Sequence, residues 1–378
     1  MRILFSSTPA HGHLLPQLPL ARAFRDRGDD VAVMTAGAFA PVLAPEGIEL
    51  LGVGPTADVL FAETARRTGA DAATDPTPET VAEFFAGTRV DLTADEALAA
   101  ARAFRPDLVV AEACDAVGPL AAAALGVPYA TLAFGPAIPA PFTDGLTAVA
   151  ASRYADRGLT QGQARWYLDP CPDAIQAPGR RPPHGRLALR PEPHQGPAGA
   201  PAVTDTAPAP GGRARVLVTF GTHFAEPRVL GPILTALSAS GADLRVTLGL
   251  TASADDYDVD RERVTFAPFT PLAELLHGID LVVTHGGAGT TLGALARGLP
   301  LVVVPQGADQ FLQAAGVAAS RTGIAVEPGA ATPEAVARAA AEVLADAQYA
   351  DNARKAADQI SAMPAPAEVA DTLAAALR

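Results

Sequence analysis

The sequence predicts an α/β protein made of two doubly wound, parallel-sheet domains, and three observations carry that prediction. Short aliphatic and β-branched runs alternate with Ala-rich stretches of helical length; the alternation occurs twice; and a Pro-crowded segment separates the two occurrences. At 378 residues the chain exceeds the ~100–200 residues of an ordinary single domain, so each half can bury its own core. Hydrophobic residues at 49% and charged residues at 18% exclude a disordered chain. No apolar run approaches the ~20 residues of a bilayer span, so no membrane partner is expected.

In the first half the strand-like runs are Arg2 to Ser6, Val31 to Thr35, Leu108 to Ala111 and Tyr129 to Phe134. In the second they are Arg215 to Phe220, Leu244 to Leu248, Val264 to Ala267, Asp280 to Thr284 and Leu301 to Val304. Between them, Pro178 to Gly212 carries nine prolines from Pro178 to Pro210. Such a segment can neither propagate a helix nor fill a central strand, and it reads as an extended connection. The expected boundaries are a first domain over 1–177, a connection over 178–212, a second domain over 213–363 and a separate last helix over 364–378. That helix is set off by Pro364 and Pro366 from an otherwise nearly continuous helical pattern after Thr332. The irregular stretch Thr68 to Thr80 inserts a long loop into the first half, where it could border a substrate cleft.

The net charge of −13 argues against sequence-independent nucleic-acid binding, which needs clustered Lys and Arg. Cys114 and Cys171 are the only cysteines, too few for a disulfide framework or a zinc site. The opening MRILFSS runs into a polar, His-rich segment without a signal-peptide core, so a cytoplasmic location is expected. A homodimer is compatible with the sequence, which carries no signal for or against one.

The chemistry concentrates in two places. In DLVVTHGGAGTTLGALARGLPLVVVPQGADQ, residues 280–310, a buried strand leads into His285, Gly286, Gly287, Ala288 and Gly289, then Thr290, Thr291 and an apolar helix. Glycines at a strand-to-helix turn let backbone amides approach an anion, and the helix dipole favours phosphate there. Thr290, Thr291 and His285 add donors, and Gly221 with Thr222 offers a second amide and hydroxyl after the strand Arg215 to Phe220. The same glycines also fit a dinucleotide loop, with Asp309 near the distance of a ribose-binding acid. That leaves an NAD(P)-dependent oxidoreductase as the rival reading.

The stretch His285 to Gln310 resembles the donor signature of family 1 glycosyltransferases of the GT-B fold, which include actinomycete macrolide and enediyne glycosyltransferases. His11-Gly12-His13-Leu14-Leu15-Pro16, Phe220-Gly221-Thr222 and the LDPCPDAIQ stretch stand in the family's order, so the likeness covers most of the chain. It implies two Rossmann-like domains facing across a cleft, with the acceptor in the first and a nucleotide sugar in the second. It further implies that His285, Thr290 and Thr291 contact the diphosphate, that Asp309 and Gln310 contact sugar hydroxyls, and that Phe266, Ala267 and Pro268 line the nucleobase site. Plant members carry Trp where this chain has Phe266 and Gln where it has Phe269, so both dTDP- and UDP-sugars remain open as donors.

Transfer to a hydroxyl needs a base for the acceptor proton. His13 lies just after the first strand, at the edge where ligands collect in open α/β sheets, and with Gly12 and Pro16 it matches the family's GHxxP pattern. His11 is the weaker candidate. An acid should fix the imidazole tautomer; Glu112, ending Leu108-Val109-Val110-Ala111-Glu112, is the choice, with Asp115 as fallback. The bland reading of Glu112 is an ordinary polar strand end.

Elsewhere, Asp256-Tyr257-Asp258-Val259-Asp260 lacks the Gly and Glu of a calcium loop and reads as a solvated acidic turn. No metal and no cofactor beyond the nucleotide-sugar co-substrate is expected. His223 is a candidate phosphate contact and a candidate cap in equal measure, and His184 and His194 read as exposed. Phe134, Phe142, Trp166 and Tyr167 are equally candidates for an apolar acceptor wall or for core. The function expected is inverting O-glycosyl transfer onto an apolar small molecule; a catalytically silent GT-B auxiliary protein is a further alternative.

Overall fold

The computed structural model describes residues 1–72, 76–177, 183–196, 212–221, 227–248, 252–268 and 270–378. The chain divides into two compact units, one of Met1–Cys171, Pro178–Arg190 and Met363–Arg378, the other of Pro172–Ala177 and Pro191–Ala362.

The first unit holds β1 (Arg2–Ser6), β2 (Asp30–Thr35), β3 (Glu49–Gly52), β4 (Leu108–Glu112), β5 (Tyr129–Leu132), β6 (Trp166–Asp169) and β7 (Arg186–Ala188). They form a parallel sheet in the order β3-β2-β1-β4-β5-β6-β7. Ile3, Leu4 and Phe5 of β1 are all fully buried, because a central parallel strand is covered on both faces and has no polar side to alternate with. One face packs Leu18, Leu20, Ala21 and Phe24 of helix Leu18–Asp26 with Val369 and Leu373 of the last helix, Pro366–Ala376. The other packs Val90, Ala94 and Ala97 of helix Arg89–Phe104 with Val117, Leu120 and Ala121 of helix Val117–Leu125.

The second unit holds β8 (Arg215–Thr219), β9 (Asp243–Thr247), β10 (Val264–Ala267), β11 (Leu281–Thr284), β12 (Leu301–Val303) and β13 (Gly323–Ala325), parallel in the order β10-β9-β8-β11-β12-β13. Its core joins Val216, Val218, Leu281 and Val283 to Leu230, Leu234 and Leu237 of helix Pro227–Ala239 and to Val336 and Val343 of helix Pro333–Ala345.

In each sheet the strand order reverses once, at β1/β4 and at β8/β11. The loops leaving those two strands run in opposite directions and open a crevice at their carboxyl ends. The registers place Ser6 beside Ala111 and Thr219 beside Thr284, so the residues just after each are neighbours at that crevice.

Some expectations shift. The segment expected as an extended connection contains β7, paired with β6 through Leu168 and Leu187. Residues 172–177 belong to the second unit, where the Ala174 amide donates to Gln359. The helical pattern after Thr332 breaks at Asp346 as well as before Pro366; Asp346 leaves the helical region and its carboxylate caps Gln348 N at 2.9 Å. The last helix returns to the first unit, where Asp371 pairs with Arg27 at 3.2 Å and Ala376 O accepts from Arg165.

Candidate active site

At the first switch point, β1 ends at Ser6 and a short loop leads into helix His11–Leu14. Ala10 starts that helix, its carbonyl accepting from the His13 and Leu14 amides at 3.0 Å. Pro16 sits in the 3-10 turn Leu15–Gln17, where its missing N–H costs nothing. Glu112 ends β4 and is 1% exposed. The two meet: His13 Nδ1 lies 3.0 Å from Glu112 Oε1.

Burial by itself would push the Glu112 carboxyl up. The charge and hydrogen bond of His13, the Arg89 guanidinium and the Thr8 hydroxyl outweigh it and hold the group down at about 2. Glu112 Oε1 also accepts from Thr8 Oγ1 at 2.6 Å and Thr8 N at 3.3 Å, and Oε2 accepts from Cys114 N at 2.6 Å. An ionised acceptor facing Nδ1 fixes the tautomer with its proton on Nδ1 and leaves the Nε2 lone pair as a base. The ring, 22% exposed, is flanked by Phe134 (centroids 4.9 Å, edge-on) and Phe85 (5.4 Å, tilted). The sequence carries no signal for Phe85, which lies on a π-helical turn, Glu83–Thr88, a winding that periodicity does not report.

Asp115, the fallback partner, is committed elsewhere. It pairs with the buried Arg89 and caps helix Val117–Leu125 through Val117 N at 2.8 Å and Gly118 N at 3.1 Å. His11 packs against Phe39, the rings tilted with centroids 5.0 Å apart.

At the second switch point, β8 leads through Phe220 to Gly221 and β11 leads to His285. The His285 imidazole is 8% exposed. Burial lowers it to about 4, against a hydrogen bond with the Thr219 backbone that favours its proton, so the ring is neutral at pH 7. Gly286, at φ +94°, makes the turn, and Thr284 Oγ1 accepts from its amide at 3.2 Å. Gly287 begins helix Ala288–Ala296 with no side-chain cap. The first turn closes with a bond from Thr291 N to Gly287 O at 2.9 Å, which leaves the amides ahead of it pointing out of the helix start. Gly289 is exposed, Thr290 half-buried and Thr291 fully buried.

The loop after β12 brings Asp309 and Gln310 to the start of helix Gln310–Ala319. Gln310 is 3% exposed, and its Oε1 accepts from Gln306 N at 2.7 Å and Gly307 N at 3.1 Å. Ala308 between them has φ +53°, a left-handed conformation unusual for a residue with a Cβ. Asp309 Oδ2 accepts from Gln313 Nε2 at 3.4 Å. Phe266 and Ala267 are half-buried at the end of β10; Phe266 packs on Tyr257 (5.2 Å) and under the Arg261 guanidinium (5.0 Å).

The remaining candidates separate cleanly. Trp166 is core, on β6, whereas Phe134 lines His13. Asp256, Asp258 and Asp260 are exposed around buried Tyr257, and among the described residues no three His, Cys, Asp or Glu side chains gather as metal ligands would. His194 is half-buried rather than exposed, Nδ1 accepting from Gly196 N at 3.2 Å. Thr222, His223 and Phe269 lie outside the described residues. Among the described residues no helix is long and apolar enough to cross a membrane.

Comparison with known proteins fits this geometry. The family model for the erythromycin biosynthesis protein CIII-like N-terminal domain matches residues 22–221, and that for the C-terminal domain matches 233–376. The chain is 33% identical to the elloramycin glycosyltransferase of Streptomyces olivaceus, over 99% of this chain and 97% of the relative. It is 31% identical to the L-demethylnoviosyl transferase of Streptomyces niveus, over 100% and 99%. Among solved structures, a Streptomyces sp. SF2575 glycosyltransferase complexed with thymidine diphosphate superposes with a TM-score of 0.82 at 28% identity, over 99% of both chains. The glycosyltransferase SnogD of Streptomyces nogalater gives 0.80 at 30%, over 100% and 99%. These likenesses select glycosyl transfer over the dinucleotide-dependent oxidoreductase that the glycine loop alone also allowed. The chain is a glycosyltransferase of the GT-B fold and belongs to the erythromycin biosynthesis protein CIII-like family of natural-product glycosyltransferases.

Proposed function

We propose that this enzyme moves a sugar from a thymidine diphosphate donor to a hydroxyl of an apolar small molecule, with inversion at the anomeric carbon and His13 as general base. The observation that carries the reading is the 3.0 Å contact between His13 Nδ1 and Glu112 Oε1. Nε2 takes the hydroxyl proton as the acceptor oxygen attacks C1; the bond from C1 to the phosphate oxygen breaks on the opposite face; Glu112 stabilises the imidazolium that forms. The departing diphosphate carries negative charge, which the open amides and dipole at the start of helix Ala288–Ala296 favour, with the Thr290 hydroxyl as a further donor; the neutral His285, whose single N–H is engaged by the Thr219 backbone, packs beside that turn. Asp309 and the Gln310 Nε2 group are assigned to sugar hydroxyls, and Phe266 with Ala267 to the base. No step in this scheme needs a metal ion.

Thymidine is preferred to uridine because the Streptomyces sp. SF2575 relative was solved with thymidine diphosphate, as was the spinosyn rhamnosyltransferase SpnG at 26% identity. The intact dyad argues against a silent auxiliary protein. The test is mass spectrometry of products from dTDP- and UDP-sugars with aglycone polyketides and phenolics, in the presence of EDTA. His13→Ala should abolish transfer while leaving thymidine diphosphate affinity nearly intact, and full activity in that variant would sink the mechanism.

A further inference from the structure

We propose that Arg89 is a positioning residue for glycosyl transfer, its guanidinium tying the loop that leads to His13 to the loop that follows Glu112 and balancing the charge beneath them. The inference rests on His13 being the general base.

Arg89 is 2% exposed. Its Nη2 donates to Ser7 O at 2.8 Å, in the loop after β1. The next residue, Thr8, donates to Glu112 through both backbone and hydroxyl, and helix His11–Leu14 follows directly. Its Nη1 donates to Asp115, in the loop after β4, three residues beyond Glu112. One rigid, planar cation therefore bridges both strand ends of the switch point, a task for which the forked guanidinium is suited and a Lys ammonium is not.

The approach comes from an unusual helix. Pro78–Ala82 and Arg89–Phe104 are joined by the π turn Glu83–Thr88, so Arg89 starts the α-helix at its buried end and Phe85 meets the His13 ring. Glu83 holds the turn, accepting from Arg67 at 2.9 Å and Thr88 Oγ1 at 3.0 Å. Its carboxylate also lies where a Cβ on Gly87 would fall, 2.3 Å from that position. Functional sites often use such bulges.

The charges matter as much as the bonds. Glu112, at the end of β4, and Asp115, in the loop after it, are two buried carboxylates, and Arg89 supplies a permanent cation that pairs with Asp115 and holds Glu112 down. Around them stand Cys114, whose amide donates to Glu112, Tyr154, whose hydroxyl donates to Ala116 O, and His11 on the His13 helix. With Arg89 gone, the cation that pairs with Asp115 and holds Glu112 down is lost, and the negative charge left near the imidazole favours the imidazolium, so the base would become available only at higher pH.

Three variants of the full chain test this by the pH profile of kcat/KM for transfer, alongside thymidine diphosphate binding and thermal melting. Arg89→Met should move the acid limb up by about one pH unit. Arg89→Met with Asp115→Asn removes both charges; the limb should return to its wild-type position while kcat stays down about tenfold or more, because the loops are untied. Arg89→Lys should keep the limb in place with an intermediate kcat. Diphosphate affinity should hold in all three. A limb that stays put in folded Arg89→Met, or remains shifted in the double variant, overturns the proposal. Should Arg89→Met not fold, the other two decide, and a wild-type kcat in either overturns it. Activity retained by His13→Ala would instead remove the base assignment itself, a separate outcome.

Discussion

The side chain that Gly221 lacks would collide with the ring of His285: a Cβ there falls 2.9 Å from Cε1 and 3.0 Å from Nε2. Gly287 stands in the same relation, its absent Cβ 2.8 Å from Nε2. Two of the glycines that read in the sequence as room for a phosphate are thus also room for an imidazole. The ring is packed between bare backbone, which explains both its burial and its neutral state.

Substitution separates the two uses of glycine. Gly221 has φ +69°, so Gly221→Ala meets strain and a clash together and should destabilise by about 2 kcal/mol or more. Thermal denaturation should show the loss, and calorimetric titration should show weakened thymidine diphosphate binding. Gly289, where a Cβ meets nothing within 4 Å, is the control: Gly289→Ala lies in a helix and should be neutral or stabilising by about 0.5–1 kcal/mol. Equal melting of both variants would refute the packing argument.

The buried His285 also sets a pH dependence. Its folded value of about 4 lies below the 6.5 of the free side chain, so the unfolded chain binds its proton first as pH falls. Stability from this group is fully present above pH 6.5 and drains away between about 6.5 and 4, a loss on the order of 3 kcal/mol. Glu112, also lowered, acts in a separate window below about pH 4.5. Urea denaturation of wild type and His285→Asn at pH 7.5, 6 and 5 measures it; the two curves should converge on acidification. Parallel curves would show that the ring does not titrate as its burial requires.

How much of this was legible in the sequence follows from burial. The central strands β1, β4, β8 and β11 are covered on both faces and announce themselves as continuous apolar runs, so the residues just beyond them, His13, Gly221 and His285, could be placed from composition and spacing. The strands β3, β6, β7 and β13, away from the switch points, have three or four residues each, too short for a period-two pattern to emerge; Trp166 and Tyr167 on β6 were therefore open to reading as a ligand wall. The pairing of His13 with Glu112 across 99 residues could be anticipated because one follows and the other ends adjacent strands of one sheet. The placement of Phe85 could not, because a π turn shifts every later residue around the helix by an amount that apolar spacing does not encode.

The same limit applies to Gln310, where resemblance assigns a sugar contact and the fold adds a second task. Its Oε1 is held by the Gln306 and Gly307 amides, closing a loop whose middle residue, Ala308, sits at φ +53°. That loop positions Asp309, so in the proposed sugar site Gln310 would act through its carbonyl as well as through Nε2. Gln310→Glu keeps an acceptor for both amides and loses only the Nε2 donor; Gln310→Ala loses both and leaves two amides without partners, at a cost of about 1–3 kcal/mol. The alanine variant should therefore melt lower and lose donor-sugar turnover, with thymidine diphosphate affinity changed less. The glutamate variant should melt near wild type while still raising KM for the nucleotide sugar. Should the glutamate variant melt as low as alanine, the loop is not held by this carbonyl, and Gln310 is left with the sugar contact alone.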